Sequence, residues 1–396
     1  MTSARRSVEE HERHVASLLH TLRAGSTAQV SLSHALHRTL AETVVSPLDL
    51  PSFRNSQMDG YAVRATEIAD APVTLPVQGV VAAGDGETRL EPGHVLKIMT
   101  GAPIPEGADA VVPVEHTREA GPGRVTVEQG VFAGTYVREA GSDVRAGDML
   151  VPAGTVLGAR HIAALAAVGA ISVPVRARPR VAVISTGSEL VPAGDALAPG
   201  KIFNSNGPAL AASAQANGAD IVVIDHCHDD PDEFVTMLGH AVEVADVVFT
   251  SGGVSQGDFE VVKDTLQPLG GEFVSVAMQP GGPQGTAVYG GVPILTFPGN
   301  PVSALVSFEV FARPSLREAA GLPPVTRKTV PLTTGVTSVA GKRQFLRGRL
   351  DENGVTPFHG HGSHLVAGLA AADVLLDIPA DTTSLEAGEL VKVVTL

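Results

Sequence analysis

Apolar residues recur at two spacings along the chain, and the change from one spacing to the other divides it into segments. Near the amino terminus, apolar residues three or four positions apart over Val8–Leu22 and Leu32–Val45 predict two packing helices. From Asp49 the apolar runs become short and are separated by glycine and proline, which predicts a compact, mostly β domain. The runs expected to form its strands are Val73–Val81, His94–Met99, Ala110–Val114, Arg124–Gln129 and Gly134–Glu139.

A different rhythm begins at Arg180, after a predicted helix over 159–168 and a predicted strand over 171–175. Apolar strands then alternate with helices as far as Arg313, which predicts a three-layer α/β/α domain with a mainly parallel sheet. Short β runs return after Pro324 and predict a carboxyl-terminal β domain. The fold class is therefore α/β and multidomain, and the expected parts are 7–46 with 141–178 (α-rich linker), 47–140 (mostly β), 179–324 (α/β) and 325–396 (β).

The composition excludes several classes of partner and compartment. Among 396 residues, 28 Lys and Arg stand against 42 Asp and Glu, so neither nucleic acid nor an anionic membrane is an expected partner. The single cysteine, Cys227, excludes an intramolecular disulfide and fits a reducing compartment. The amino-terminal segment is acidic where a signal peptide needs an apolar core, and no apolar run is long enough to span a bilayer. We therefore expect a cytoplasmic protein.

Candidate chemistry lies at the ends of the predicted α/β strands, which a parallel sheet brings to one edge. The apolar run 245–251 ends in Gly252-Gly253, and paired glycines before a helix expose N–H groups that suit phosphates. Glu189 follows the first strand, where it also fits a capping role on a following helix. Asp229 follows the second strand, and its neighbour Asp230 fits an N-cap equally well.

The same edge gathers further polar residues. Those that flank the glycine turn are Ser251, Ser255, Asp258 and Glu260. Nearby in the predicted sheet, Asn300 precedes Pro301 and can cap a helix whose free N–H groups point outward. Carboxylates suit Mg²⁺, which prefers oxygen ligands and commonly bridges protein to phosphate. The physical interpretation is a substrate that carries a nucleotide, bound with Mg²⁺ as the cofactor.

Two histidine clusters invite a metal hypothesis. His226 and His228 flank Cys227, and strand alternation would place both imidazoles on one face, although no third ligand lies nearby in the sequence. The run His359-Gly-His361-Gly-Ser-His364 fits a metal site, a substrate-contacting loop or an exposed turn. These interpretations stay open at this point.

An ordered set of motifs resembles the molybdopterin-binding domain family. The motifs are Ser185-Thr-Gly-Ser-Glu189, Gly200-Lys-Ile-Phe-Asn-Ser-Asn206, Ser251-Gly-Gly-Val-Ser-Gln-Gly-Asp258 and Pro298-Gly-Asn-Pro-Val-Ser-Ala304. Three earlier stretches, Pro51–Val63, Met99–Val112 and Gly141–Gly147, are similar to the MoeA family of molybdopterin molybdenumtransferases and to the E domain of gephyrin. The resemblance covers nearly the whole chain, and the ordered set is far more specific than any single motif.

The resemblance implies a role in molybdenum cofactor biosynthesis, in which molybdate is inserted into adenylated molybdopterin and AMP is released with Mg²⁺. It also implies a homodimer in which 7–46 and 141–178 serve dimerisation and the β domain of one subunit faces the α/β sheet of the other. A molybdopterin adenylyltransferase is a further candidate partner.

The resemblance also assigns site residues, although Asp59 and Thr100 alone fit turn positions. The residues expected to be catalytic are Asp59, Asp143, Glu189, Asp229 and Glu260, and the last three are also the expected metal ligands. The residues expected to bind substrate are Thr100, Ser251, Gly252, Gly253, Ser255, Asp258, Pro298, Gly299, Asn300 and Ser303.

The chain departs from the family pattern at an anion subsite. Where the family commonly has Lys-Pro-Gly-Lys-Pro, this chain has Gln279-Pro-Gly-Gly282-Pro, so two cations expected beside an anionic ligand are missing. Either affinity for molybdate is weaker or another cation substitutes, and the candidates are Arg54, Arg343, Arg347 and Arg349. Glu260 is also longer than the aspartate usual at its place.

Three alternatives remain open at the level of the sequence. Adenylation of molybdopterin by ATP uses the same central fold, but such proteins typically lack the equivalents of residues 1–178 and 325–396. A binding module or scaffold would keep the sheet and the dimer without catalysis. A paralogue specialised for tungstate would be separated from the main hypothesis by titration with molybdate and tungstate.

Overall fold

The protein is described by a computed structural model over residues 5–23, 25–254, 260–358 and 362–396. Backbone contacts divide the chain into two compact units. One unit is 29–174, and the other comprises the chain up to Ala28 together with Val175–Leu396. The strands Thr27–Ser31 and Ser172–Arg176 pair with each other and contain both division points. Within the described ranges, no helix is long and apolar enough to cross a membrane.

The unit 29–174 is built mainly of short strands, as its β-prone runs predict. Its largest sheet has six strands, and only one neighbouring pair is parallel. In spatial order these strands are Ala110–Pro113, Gly60–Val63, Val95–Ile98, Val73–Val81, Arg124–Val127 and Thr117–Glu119. Smaller pairs are Asn55–Ser56 with Val137–Arg138 and Val44–Val45 with Met149–Val151. The described helical segments are Leu32–His34, Ala65–Ile68, Val114–His116 and the α-helix Ala159–Ala167.

The helix predicted over Leu32–Val45 is wrong. After one 3-10 turn at its start, this stretch leaves the helical conformation and bonds to distant backbone instead. The amide of Leu40, for example, donates to the carbonyl oxygen of Thr155 at 2.9 Å. Leu40 is fully buried whereas Leu36, one helical turn earlier, is 48% exposed, so the apolar spacing did not mark one helical face. Tertiary hydrogen bonds and packing outweigh the weak helical preference of the segment.

The other unit is organised around a six-stranded sheet, here called the central sheet. In spatial order its strands are Asp220–Cys227, Arg180–Thr186, Val247–Ser251, Val292–Phe297, Pro283–Tyr289 and Glu272–Ser275. The first four run parallel to one another, whereas Pro283–Tyr289 is antiparallel to both of its neighbours, Val292–Phe297 and Glu272–Ser275. This arrangement confirms the predicted mainly parallel sheet. The register places Thr186 beside Cys227, and Ser251 between Ser185 and Phe297. Four strand ends therefore meet at one edge.

Helices cover both faces of the central sheet. Val181 and Val183 pack into one apolar cluster whereas Ala182 and Ile184 pack into another, because successive side chains of a strand point to opposite faces. Helices that contribute to the first cluster are Asn206–Ala216, Pro301–Ser307 and Arg313–Ala319, the last two joined by the π-helical turn Phe308–Ala312. Those of the second are Pro231–Val244 and Val261–Leu266, which the 3-10 turn Gln267–Leu269 continues.

The same unit contains a second six-stranded sheet, formed largely by the carboxyl-terminal segment. Its strands in order are Met278–Gln279, Arg343–Asp351, Val374–Ile378, Leu390–Thr395 and Arg327–Pro331, with Gly354–Pro357 paired to the second. Two short pairs are Leu190–Val191 with Ile202–Phe203 and Val336–Thr337 with Ser384–Leu385, and a short helix spans Val366–Ala370. The predicted amino-terminal helix is confirmed as Val8–Leu18, continued by the 3-10 turn Leu19–Arg23.

Candidate functional site

A cleft of about 900 Å³ lies where the strand ends of the central sheet meet. Most of the residues that the sequence assigned to the α/β domain line it. They are Glu189, Asp229, Ser251, Gly252, Gly253, Glu260, Pro298, Gly299, Asn300 and Ser303. Two other predicted residues, Ser255 and Asp258, lie outside the described residues, as do His359 and His361.

The floor of the cleft contains a turn that requires glycine. Gly252 has a φ of +94°, and a Cβ there would lie 2.5 Å from the carbonyl oxygen of Thr186. The amide of Gly252 donates to the carbonyl oxygen of Phe297 at 3.1 Å. That donor is engaged within the protein, contrary to the expectation that it points to a phosphate. The turn instead fixes how closely the neighbouring strand ends approach each other.

The loop that carries Glu189 is held by hydrogen bonds from three directions. The amide of Ser188 donates to Asp229 Oδ2 at 2.9 Å, and the amide of Asp229 donates to Ser188 Oγ at 3.1 Å. Lys201 Nζ donates to the carbonyl oxygen of Ser188 at 2.5 Å. Glu189 is followed by the strand Leu190–Val191, so the helix-capping alternative for Glu189 is wrong. Asp229 thus positions the neighbouring acidic residue as well as lining the cleft.

His226 is the third side chain, after Asp229 and Lys201, that holds this loop. Its Nε2–H donates to the carbonyl oxygen of Gly187 at 2.9 Å, whereas His228 lies 3.2 Å from Glu233. Asp230 is the N-cap of the following helix and accepts from two amides of its first turn. The two imidazoles are neighbours, with ring centroids 5.2 Å apart, but the described residues contain no group of three metal-ligating side chains. The structure therefore gives this pair hydrogen-bonding roles.

Carboxylates from three different loops face the cleft. Glu189 and Asp229 are exposed, whereas Glu260 is buried at the start of the helix Val261–Leu266. Asp229 has one oxygen committed to Ser188. Because Mg²⁺ is commonly held by one or two carboxylates together with substrate phosphates and water, this donor set fits a Mg²⁺ that arrives with a phosphate-bearing substrate.

Two buried polar atoms in the lining lack a hydrogen-bond partner among the described residues. They are Ser251 Oγ and Asn206 Oδ1, on side chains only 1% and 7% exposed. An unsatisfied buried polar atom costs about 1–3 kcal/mol, so a polar ligand in the cleft would gain from satisfying them. Asn206 also donates to the carbonyl oxygen of Gly299 at 2.7 Å, which ties two walls of the cleft together.

Asn206 and Lys201 have no role predicted from the sequence, although both lie in a motif that carries the resemblance. The roles of these two side chains depend on which loops they contact in the folded chain. The spacing of residues in the sequence does not reveal those contacts. Asn300 does occupy the N-cap position, but its side chain makes no capping hydrogen bond in the structure. It is exposed in the cleft lining.

Asp59, Thr100 and Asp143 lie in the unit 29–174 and are not part of this lining. Thr100 donates to Asp59 Oδ1 through its amide at 2.7 Å and through its hydroxyl at 2.8 Å. These two bonds hold the pKa of Asp59 below its usual value. All three side chains are exposed, and the bonds from Thr100 fix the Asp59 carboxylate before any ligand binds.

The four candidate replacement cations have different surroundings. Arg343 is paired with Asp377 at 2.6 Å and with Glu9 at 2.7 Å, and Arg54 is paired with Glu139. Arg349 is exposed on its strand. Arg347 is only 5% exposed and lines a small cavity with Gln279, the position where the family has a lysine.

Comparisons with known proteins agree along the whole chain. Models of the MoeA N-terminal region (domains I and II), a probable molybdopterin binding domain and the MoeA C-terminal region (domain IV) match residues 6–169, 182–318 and 329–396. Molybdopterin molybdenumtransferase 2 of Mycobacterium tuberculosis is 45% identical, over 98% of this chain and 99% of the relative. The chain belongs to the MoeA family. The molybdopterin molybdenumtransferase of Bacillus subtilis is 34% identical over 95% of this chain and 91% of its own.

Solved structures support the same assignment at the level of the fold. A molybdopterin biosynthesis MoeA protein from Pyrococcus horikoshii matches with a TM-score of 0.79 and 34% identity, over 96% of this chain and 98% of that chain. A second MoeA structure from that organism matches with a TM-score of 0.75 and 27% identity, over 99% and 100% of the two chains. The multidomain fold expected from the motifs is that of MoeA proteins.

Proposed function

We propose that this MoeA-family protein is a molybdopterin molybdenumtransferase, which inserts molybdate into adenylated molybdopterin and releases AMP. The observation that carries this proposal is the cleft itself, where three carboxylates and two unpartnered buried polar atoms lie together. Full-length relatives that bear this name, and the match of residues 182–318 to a probable molybdopterin binding domain, support it.

Polar groups on the cleft floor bind and orient the substrate in this proposal. Ser251 and Asn206 complete their hydrogen bonds with polar atoms of the pterin or its phosphate, and Asn300 contacts the substrate from the opposite loop. The Asn206 bond to Gly299 keeps these two loops at a fixed separation. Proximity and fixed dipoles of this kind lower a barrier without a covalent enzyme intermediate.

Carboxylates handle the charge of the phosphoanhydride. One or two of the carboxylates of Glu189, Asp229 and Glu260 would hold Mg²⁺ together with the phosphates of the substrate, and the ion would neutralise phosphate charge and polarise the bond that releases AMP. Asp229 contributes the oxygen that Ser188 does not use. Glu189 orients metal and water from a loop that Lys201 and His226 hold in place.

Arg347 is the cation that replaces the missing lysines in this proposal. It donates to the carbonyl oxygen of Leu365 at 2.6 Å and shares its cavity with Gln279 and Gln344. A buried guanidinium beside amide side chains is suited to an oxyanion such as molybdate.

Asp59, Thr100 and Asp143 complete the site from a second subunit of a homodimer. Their exposure and the ordering of Asp59 by Thr100 fit a surface that acts on a ligand held elsewhere. The cytoplasm, where the cofactor precursors are expected, is the proposed location, and a molybdopterin adenylyltransferase is the proposed supplier of substrate.

Replacing Glu189 tests the assignment directly. We expect Glu189→Gln to reduce AMP release from adenylated molybdopterin at least about a hundredfold, since a group that positions metal and water is lost. The exposed Glu352→Gln is the matched control and should behave as wild type. Full AMP release by Glu189→Gln would remove this residue from the mechanism. Tight substrate binding without release in the wild type would favour the scaffold alternative that Gln279 and Gly282 keep open.

A further inference from the structure

A second cavity, of about 590 Å³, lies in the unit that contains the central sheet. Its lining shares only Val366 with that of the cleft. Large apolar side chains, including Leu305, Leu369 and Leu375, form much of its wall. A cavity of this size and character is typical of a small-molecule site.

A compact polar cluster interrupts this apolar lining. Arg313 Nε and Arg317 Nη1 both donate to Asn217 Oδ1 at 3.0 Å, so the two guanidinium groups share one acceptor. Arg313 also pairs with Glu309, and the two side chains are only 11% and 12% exposed. Within the described residues, Glu309 is the carboxylate that forms an ion pair with this cluster, and Arg317 donates to neutral oxygens alone.

The cluster therefore carries more positive than negative charge. Burial raises the pKa of Glu309, which further weakens its ability to compensate two arginines. Burial, followed by the neighbouring charge of Arg313, lowers the pKa of Arg317. Nη2 of each arginine makes no hydrogen bond to any described residue. An anion placed against these two nitrogens would relieve the repulsion and satisfy both donors.

A π-helical turn lies next to the cluster. Glu309 lies in the π-helical turn Phe308–Ala312, which interrupts the helix that carries both arginines. Single π-helical turns are uncommon and frequently occur at functional sites.

We propose that this cavity binds a small organic monoanion, a carboxylate attached to an apolar body. The carboxylate would bind between the Nη2 atoms of Arg313 and Arg317, and the apolar body would pack against Leu305 and Leu369. The two Nη2 atoms offer donors to the two oxygens of one carboxylate. The planar fork of a guanidinium also matches a carboxylate.

Ligand binding should stabilise the short helix Val366–Ala370. Val366 lines both the cavity and the cleft, and Leu369 and Ala370 line the cavity. We expect the ligand to slow hydrogen exchange of the backbone amides in this helix, because its apolar contacts must break when the helix opens.

Calorimetric titration of the full-length protein with decanoate tests the proposal, with decanol as the uncharged probe of equal chain length and acetate as the charged probe without an apolar body. Decanoate should bind at least about tenfold more tightly than either, because only decanoate uses both parts of the site. Equal binding of decanoate and decanol, or no binding of decanoate at about 1 mM, would overturn it.

Two variants locate the site. Arg317→Gln should weaken decanoate at least about tenfold without changing decanol, since it removes charge and leaves the apolar wall. Ala212→Leu fills the cavity from a helix that tolerates leucine and should weaken both probes, whereas Gln215→Leu on the same helix lies outside the lining and should not. Unchanged decanoate binding in both Arg317→Gln and Ala212→Leu would place the ligand elsewhere. If decanoate did not slow hydrogen exchange at Val366–Ala370, the ligand would not bind at the proposed place in the cavity.

Discussion

Ser188 and Asp229 hold each other through two reciprocal hydrogen bonds. The amide of Ser188 donates to Asp229 Oδ2 at 2.9 Å, and the amide of Asp229 donates to Ser188 Oγ at 3.1 Å. The carboxylate of Asp229 therefore has two separable roles, one in the geometry of the loop that carries Glu189 and one in charge.

Two substitutions of Asp229 separate these roles. Asp229→Asn keeps an oxygen that can accept from Ser188 but removes the charge, so we expect AMP release to fall with a higher Mg²⁺ requirement and stability to stay close to wild type. Asp229→Ala should lose the same activity and also about 1–2 kcal/mol of unfolding free energy. Asp225→Asn, exposed on the strand that precedes Asp229, is the control. If Asp229→Asn kept wild-type Mg²⁺ dependence, Asp229 would have only the loop role.

His226 is expected to act as a positioning residue through Gly187. His226→Leu removes the donor to the Gly187 carbonyl oxygen, and we expect AMP release to fall about tenfold, the equivalent of one lost hydrogen bond. His226→Gln should recover most of it because the amide can donate to the same oxygen. His228→Gln changes the neighbouring imidazole and should have little effect. Equal rates for the Leu and Gln variants at position 226 would argue against this bond.

Gly252 should be far less tolerant of alanine than a glycine with the same backbone angle elsewhere. Gly252 and Gly84 have φ values of +94° and +95°, but a Cβ at Gly84 meets no atom within 4 Å. Gly84→Ala should cost about 1–2 kcal/mol of unfolding free energy from backbone strain alone. Gly252→Ala adds the clash with Thr186 and should cost more, as urea unfolding will measure. Equal losses would show that the turn relaxes to accept a side chain.

His11 should make stability depend on pH. Burial, with the nearby charge of Arg6, lowers the pKa of His11 from 6.5 to about 3. The unfolded chain then binds a proton below about pH 6.5 that the folded chain does not, so stability is present above that pH and is lost toward pH 3. The contribution is about 1.4 kcal/mol per pH unit.

Unfolding free energies between pH 7 and pH 4 test this contribution. His11→Gln should flatten the slope, although its absolute stability is lower because the edge-to-face contact with Phe311 is lost. The exposed His20→Gln should leave the slope unchanged. An identical slope in wild type and His11→Gln would show that His11 does not titrate in this way.

A shared site predicts complementation between two inactive subunits. In a heterodimer of Asp59→Asn and Glu189→Gln chains, one site receives intact Asp59 from one chain and intact Glu189 from the other. After random subunit exchange, about a quarter of wild-type AMP release should return, because half of the dimers carry one intact site of two. No recovery, with exchange verified by mass spectrometry, would place both residues in one subunit's site.

Local sequence patterns predicted those parts of the fold whose cause is local. The strand Arg180–Thr186 begins where the strand–helix rhythm was predicted to start, because a short apolar run between turn residues leaves few alternatives. The helix predicted over Leu32–Val45 was wrong because the backbone of this stretch bonds to residues more than a hundred positions away. The bond from Leu40 to Thr155 is an example. Spacing along the chain carries no information about such partners.

Some contacts of the site could also be predicted from the sequence, and others could not. The meeting of Glu189 and Asp229 followed from the rule that parallel strands end at one edge, whereas the contacts of Lys201 and Asn206 depend on the detailed course of a crossover. The arginine cluster was also hidden. Glu309, Arg313 and Arg317 recur every four residues, which in a sequence indicates an exposed helical stripe, and only the packing of Asn217 against them reveals a buried one.

The central claim is tested most directly by AMP release from adenylated molybdopterin by the purified protein with Mg²⁺, with and without micromolar molybdate. The account predicts that molybdate stimulates release, which would also show that Gln279 and Gly282 are compatible with transfer. Tight binding of the adenylated substrate with no release at any molybdate concentration would contradict it.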